Sequence, residues 1–456
     1  MTDKGQTTVY TDFAADFMTD RLANLCEPEY GVQTGPFGSQ LHQKDYVAIG
    51  TPIITVEHLG ENRIEHENIP CVSDIDRERL SKYRLSKGDI VFSRVGSVDR
   101  RALVREAEDG WLFSGRCLRV RPDQAKIDSI YLSYFFGLPA FKEHIRSIAV
   151  GATMPSLNTY LLCTVPIYYP PLPEQRAIAS ILGALDDKIE LNRQMNHTLE
   201  AMVQGIFKSW FVDFDPVNAK AEGRKPYGMS DEVATLFPSH FVESELGPIP
   251  KGWGVNPIGE LARIVGGSTP HTEREEYWKG GRIHWATPRD LANLPHPILI
   301  DTERRITEMG LGQISSHLLP QGTVLLSSRA PIGYIAIADL PLAINQGFIA
   351  IVCNEGLPNY YVLNWLRENM DVIESRANGT TFLEISKMNF RPIPAIVPPK
   401  PVIDAFIFVV KPAYDYMTSN IRESRILASI RDTLLPKLLS GEIRVKLAEK
   451  LVEQAI

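Results

Sequence analysis

At 456 residues, 44% of them hydrophobic and 23% charged, the chain has the composition of an ordinary globular protein long enough for two or three cores. A formal net charge of −7 argues against a uniformly basic nucleic-acid binder. No run of about 18 apolar residues offers a membrane span, and the first residues lack the apolar core of a signal peptide, so a cytoplasmic location is expected. The cysteines (Cys26, Cys71, Cys117, Cys163 and Cys353) are never spaced as Cys-x-x-Cys. They read as reduced thiols rather than as a zinc site or a disulfide framework.

In chain order, residues 1–172 alternate short apolar runs with Gly and Pro, the pattern of a mixed α/β lobe. Strands are expected at 51–56, 89–93 and 117–121, and a helix over 129–148. Between residues 80 and 121 ten basic side chains face five acidic ones, a local excess hidden by the acidic average. Over 173–212 the positions 178, 182, 185, 189, 192, 196, 199, 203, 206 and 210 step alternately by four and three, a coiled-coil seam. Such a helix is about 55 Å long. Asn192 and Asn196 interrupt its middle, where buried asparagines set register. Asp186-Asp187-Lys188 on the same helix read as solvated positions.

Residues 213–250, rich in Pro, Gly and charge, form a linker with one short helix at 231–236. A second lobe covers 251–397, with strands expected at 282–286, 323–327 and 348–352. A second seam helix covers 398–441, with Phe406, Val410, Met417, Asn420, Leu427, Leu434 and Leu438 along it. Pro412 and Pro436 predict kinks there, Arg431 on the seam lies near an end or reaches a carboxylate, and Gly441 is a C-cap. A tail of 442–456 remains.

The second half repeats the first. Gly151, Thr153, Pro166, Pro170, Pro171, Asn192 and Leu199 fall on Gly379, Thr381, Pro394, Pro398, Pro399, Asn420 and Leu427, all at an offset of 228. Upstream, Gly88 and Arg94 align with Gly322 and Arg329 at 234 and 235. A single long-period duplication describes two similar lobes, not a solenoid. Catalytic motifs are missing: there is no phosphate-cradling Gly-x-x-x-x-Gly-Lys-Ser/Thr loop, no Gly-x-Gly-x-x-Gly, no His-Glu-x-x-His, no Gly-x-Ser-x-Gly and no Asn-Pro-Pro-Tyr-like methyltransferase motif. His271, His284, His296 and His317 lack metal-ligand spacing. The residues read as a non-catalytic chain.

Several stretches together resemble the specificity subunit of type I restriction-modification systems. They are Gln33-Thr-Gly-Pro-Phe-Gly-Ser-Gln-Leu-His42, Lys87-Gly-Asp-Ile-Val-Phe-Ser-Arg94, Pro171-Leu-Pro-Glu-Gln-Arg-Ala-Ile-Ala179, Gly247-Pro-Ile-Pro-Lys-Gly-Trp253 and Leu434-Leu-Pro-Lys-Leu-Leu-Ser-Gly-Glu-Ile443. The second helix start departs from the pattern, lacking the Pro-Glu-Gln-Arg of the first. The resemblance implies two α/β (α+β) target recognition domains joined by two long antiparallel coiled-coil helices. Each domain would read one half of a split double-stranded DNA target. Two modification subunits and the restriction subunits would be partners. S-adenosylmethionine, ATP and Mg2+ would be held by those partners and none by this chain. A spacer of about 55 Å spans up to about 16 base pairs at ~3.4 Å each. The rival reading is a protein-binding scaffold on a coiled coil, with no DNA recognition.

Arginine reads guanine bidentately, Asn or Gln reads adenine, and glycine-rich loops with small hydroxyl residues approach phosphate closely. In the first lobe these rules select Gln33, Thr34, Ser39, Gln40, Arg94, Arg100, Arg101 and Thr153 for DNA contact. In the second they select Ser268, Thr269, His271, Arg289, Ser328, Arg329 and Thr381. Asn192, Asn196 and Asn420 are assigned to helix register, and no residue to a metal or to catalysis.

Overall fold

A computed structural model describes residues 13–455 apart from 330, 354–355 and 380–382. The chain divides into two compact units, residues up to 189 with those from 426 onward, and residues 190–425. Both division points fall inside long helices.

The first unit holds strands β1 (Met18–Arg21), β2 (Val32–Thr34), β3 (Tyr46–Val47), β4 (Thr51–Ile54), β5 (Cys71–Val72), β6 (Ile90–Ser93), β7 (Arg101–Leu103), β8 (Leu112–Phe113), β9 (Cys117–Val120) and β10 (Pro166–Tyr169). They form a sheet of order β2-β9-β6-β7, a second of order β3-β5-β4-β8, and the ribbon β1-β10. The alternation of a strand explains why β6 is buried on both faces. Ile90 and Phe92 enter one core with Tyr131, Phe135 and Leu182, while Val91 enters another with Ile53 and Phe113. The single helix expected over 129–148 is two, Ser129–Phe135 and Pro139–Ile148. Pro139 has no N–H to continue the ladder and holds Leu138 extended at φ −56, ψ 135.

The second unit repeats this plan with β11 (Phe241–Ser244), β12 (Gly247–Pro250), β13 (Gly254–Pro257), β14 (Arg263–Gly266), β15 (Ile283–Ala286), β16 (Ile298–Leu299), β17 (Arg304–Ile306), β18 (Val324–Ser328), β19 (Ile332–Ala338), β20 (Leu342–Ile344), β21 (Phe348–Val352) and β22 (Pro394–Val397). The orders are β14-β21-β18-β19-β16 and β17-β15-β20, with ribbons β13-β22 and β11-β12. Matching the ladders pairs β2, β9, β6 and β7 with β14, β21, β18 and β19. The parallel pair β4-β8 matches β15-β20. The linker is more ordered than expected. The linker holds helices Asp215–Ala221 and Asp231–Thr235 and the β11-β12 hairpin, and the tail is a helix, Val445–Ala455.

The long helices are Leu172–Phe211 and Lys400–Ser440. The second is one continuous helix through Pro412 and Pro436. Pro412 lies on the exposed face, where the carbonyl it frees meets water. Within the second unit the helices are antiparallel, since Asn192 reaches Ser424 and Asn196 reaches Asn420. Asn192 Nδ2 donates to Ser424 Oγ at 3.2 Å, and Asn420 Nδ2 to Asn196 Oδ1 at 2.9 Å. The offset of 228 exchanges these two bonds. Asn192 also donates to Glu423 Oε2 at 2.8 Å.

Within the first unit Asp186 is not solvated as expected, whereas Asp187 is exposed. Asp186 is buried, accepting from Tyr134 Oη at 2.6 Å and from Arg431 Nη1 at 2.7 Å. Asp187 pairs with Arg105 at 2.7 Å and Arg63 at 3.0 Å. In the second unit the corresponding role falls to Glu200, which meets His296 Nδ1 at 3.0 Å and also pairs with Arg367.

Two outcomes follow. Asn420→Leu alone strands the buried Asn196 oxygen and destabilises by about 1–3 kcal/mol. Adding Asn196→Leu recovers most of that loss, as a thermal double-mutant cycle reads out. Burial pushes the Glu200 carboxyl up, but His296 and Arg367 outweigh it and hold the carboxyl below its ordinary range. Its stabilisation is therefore present above the ordinary glutamate range and lost as pH falls through that range toward the lowered value. Glu200→Gln makes the acid limb of a Tm-against-pH curve shallower.

Candidate DNA interface

In the first unit the outward-facing candidates gather where β6 ends and β9 begins. Arg94 follows β6, its N–H donating to Arg116 O at 2.8 Å while its carbonyl accepts from Leu157 N at 2.8 Å. Its Nη1 donates to Gly115 O at 3.2 Å and its guanidinium stands 5.6 Å from the Phe37 ring centre. The loop after β2 crosses the turn Ser114-Gly115-Arg116 so closely that a Cβ on Gly35 would lie 2.1 Å from the Ser114 carbonyl. Only glycine fits there. A groove of about 390 Å³ runs between this turn, Phe37 and Thr55–Glu57. Phe37 and Arg116, both exposed, were not among the residues chosen from the sequence. Phe37 sits inside a quoted motif and Arg116 inside the basic stretch, but only the backbone pairing brings them beside Arg94.

The other first-unit choices are spread more widely. Gln33 and Thr34 are half-buried on β2, Gln33 facing Arg119 across the ladder. Gln40 is engaged internally, its Oε1 accepting from Tyr83 Oη at 2.6 Å. Arg100 donates to the Leu59 carbonyl. Thr153 is exposed in a loop held to the end of β6 by the bridge between Val95 and Ser156. The side chain of Ser39 and the whole of Thr381 lie outside the described residues. Arg101 requires correction: its side chain is only 4% exposed and its Nε donates to Ser133 O at 2.9 Å, because β7 turns it toward the helices. It presents nothing to a ligand outside.

The local basic excess is therefore smaller at the surface than in the sequence. Arg119 is buried, donating to the carbonyls of Tyr30 at 2.8 Å and Arg84 at 3.0 Å, and burial pushes its guanidinium down to about 10. Arg121 is tied to Asp89 at 2.7 Å, Lys87 to Glu106 at 2.8 Å and Arg84 to Glu78 at 2.5 Å. Arg94 and Arg116 are what this end of the sheet offers outward.

In the second unit the equivalent turn is Asn345-Gln346-Gly347, crossed by Gly267, where a Cβ would lie 1.9 Å from the Ile344 carbonyl. Thr269 is exposed and its Oγ1 donates to Gln346 Oε1 at 2.6 Å. Ser268 is half-buried, His271 is exposed, and Arg289 is exposed with Glu303 3.8 Å away. Ser328 is buried within the sheet, not displayed. The expected equivalence of Arg94 and Arg329 is corrected by the ladder. Ser328 N donates to Gly347 O and Ser328 O accepts from Ile385 N, the bonds that Arg94 makes with Arg116 and Leu157. Arg94 therefore corresponds to Ser328, and Arg329, paired with Glu384 at 3.7 Å, corresponds to Val95. Alignment by residue type had slipped by one.

The family model for the type I restriction modification DNA specificity domain matches residues 24–201 and 250–424. The chain is 27% identical over 426 residues to the specificity subunit of the type I restriction enzyme HindI of Haemophilus influenzae, covering 84% of this chain and 92% of that one. It is 29% identical over 326 residues to the MjaIX specificity subunit of Methanocaldococcus jannaschii, covering 70% of each. The solved type I restriction-modification S subunit from M. genitalium shares the fold, with a TM-score of 0.58 at 15% identity over 95% of this chain and 98% of that one. With both repeats matched and the duplicated architecture in place, the chain belongs to the type I restriction-modification DNA specificity subunit family.

Proposed function

We propose that this chain is the non-catalytic DNA-reading subunit of its complex, each unit contacting one half of a bipartite double-stranded target. Methylation of adenine, with S-adenosylmethionine, belongs to two modification subunits. Cleavage, with ATP and Mg2+, belongs to restriction subunits. The observation that carries the reading is a matched backbone bearing unmatched side chains. Two sheets of the same core order present the same three-residue turn beside the same glycine crossing. One displays Phe37, Arg94 and Arg116, the other Thr269 and Gln346, with a buried Ser328 where Arg94 stands. Two different readers on one frame suit an asymmetric split target, whereas identical readers suit a palindrome. The overall acidity is acceptable where partner subunits supply part of the phosphate contact. A scaffold that binds proteins alone is disfavoured by the family match, and a salt-dependent shift of duplex DNA, with and without modification subunits, tests it.

Arg94→Ala or Arg116→Ala weakens specific binding by about 1–3 kcal/mol and relaxes preference at one position where the arginine reads a base. Where it touches phosphate, affinity falls for all sequences and the salt slope drops by about one. No change in either measurement dismisses the residue. Replacing residues 251–394 by the same segment of a related subunit changes one half-site while the other half-site and the gap persist, as mapping of modified adenines in host DNA shows. If both half-sites change together, the two-reader proposal fails. Asn192→Leu with Asn420→Leu loosens selectivity for gap length, measured on sites whose gap differs by one base pair.

A further inference from the structure

Arg101 is a buried cation that the fold itself does not require. Phe92 faces Arg101 across the β6-β7 ladder as Leu326 faces Ile335 across β18-β19, so the second unit fills the equivalent position with an aliphatic side chain. Taking a guanidinium out of water is unfavourable unless a counter-charge is close. The ion-pair partner of Arg101 is Glu61, whose oxygen is 3.9 Å away on a side chain that is 70% exposed and shared with Lys142 at 3.8 Å. Arg431 is nearby, and the buried carboxylate between them, Asp186, is already taken by Arg431 and Tyr134. Arg431 also pairs with the exposed Asp432 at 2.8 Å, so Asp186 and Asp432 both serve Arg431 and Arg101 is left with the distant Glu61.

A second donor is unused at the same place. Asn62 is 2% exposed and sits in the left-handed region at φ 59. Its amide oxygen accepts from the Ser133 hydroxyl, whereas its Nδ2 has no hydrogen-bond partner among the described residues. Buried polar groups are almost always satisfied, so an orphaned amide beside an under-paired guanidinium calls for an acceptor. Both line a cavity of about 170 Å³ with Tyr134, Asp186 and Arg431. All of these residues belong to the first unit.

We propose that this cavity binds a small oxyanion, of phosphate or carboxylate type, between the Arg101 guanidinium and the Asn62 amide. The anion supplies the charge that Glu61 delivers only from a distance and the acceptor that Asn62 lacks. Burial holds the Arg101 guanidinium below its usual range, and a bound anion relieves that penalty. Because strand β7 and both long helices contribute to the lining, occupancy tightens the seat of the first sheet on the helix segments of its own unit.

The test is thermal unfolding of the full chain, titrated separately with sodium phosphate and sodium acetate, with ionic strength held constant by sodium chloride. Wild type, Arg101→Met and Asn62→Gly are compared; glycine keeps the left-handed backbone while removing the amide. The expected result is a midpoint that climbs with at least one of the two anions and levels off in the wild type, and that stays flat in both variants. A response to phosphate identifies a tetrahedral guest, and a response to acetate alone a carboxylate. If Arg101→Met does not fold, Asn62→Gly decides by itself. A parallel climb in wild type and variants, as salt exclusion produces, overturns the proposal. So does a flat wild-type curve, which means that the cavity takes water only.

Discussion

The two exchanged amide bonds between the long helices are the constraint on which this architecture rests. A continuous apolar seam tolerates sliding by a heptad, because one leucine replaces another at little loss. Asn192 donating to Ser424 and Asn420 donating to Asn196 do not tolerate it, since a slip leaves buried amides unpaired. That the bonds swap under the repeat offset means each copy of the duplication brings one donor and one acceptor. A duplicated helix therefore pairs with its own descendant in one antiparallel register.

The sheets are fastened to these helices by polar clusters as well as by apolar packing, and the two clusters differ in chemistry. In the first unit Asp186 is held by Tyr134 and Arg431. The offset places Tyr414 where Asp186 stands, and there Asn364 donates to its hydroxyl at 3.1 Å. An ionic contact in one copy has thus become a neutral hydrogen bond in the other, and the charged role has moved to Glu200. Such divergence is tolerated because what the seat demands is satisfied polar groups, not a particular pair. The same freedom lets an arginine occupy in one unit a position that isoleucine fills in the other.

The interface follows the opposite logic, with backbone kept and side chains changed. Gly35 and Gly267 allow the crossing loop to lie against a neighbouring carbonyl, which fixes the turn beneath it. Once the turn is fixed, its side chains are free to vary. Arg116 and Gln346 are exposed beside a constant framework.

Much of the architecture was legible in the sequence because it depends on local periodicity. The seam steps of three and four placed both helices, the offset of 228 revealed the two lobes, and short apolar runs marked β6, β9, β18 and β21. For Arg431 on the apolar seam the sequence left open an end position or a carboxylate partner, and the structure gives the carboxylate, Asp186. What the sequence left open depends on contacts between distant segments. Whether Asp186 is solvated is decided by Tyr134, 52 positions away. Which face of β7 looks inward decides that Arg101 is buried although Arg100, its neighbour, is not. The equivalence of Arg94 with Ser328 rests on which carbonyl each N–H finds, a property of ladder register that residue type does not encode. Periodicity is written along the chain, whereas burial and register are settled only when sheets and helices close on one another.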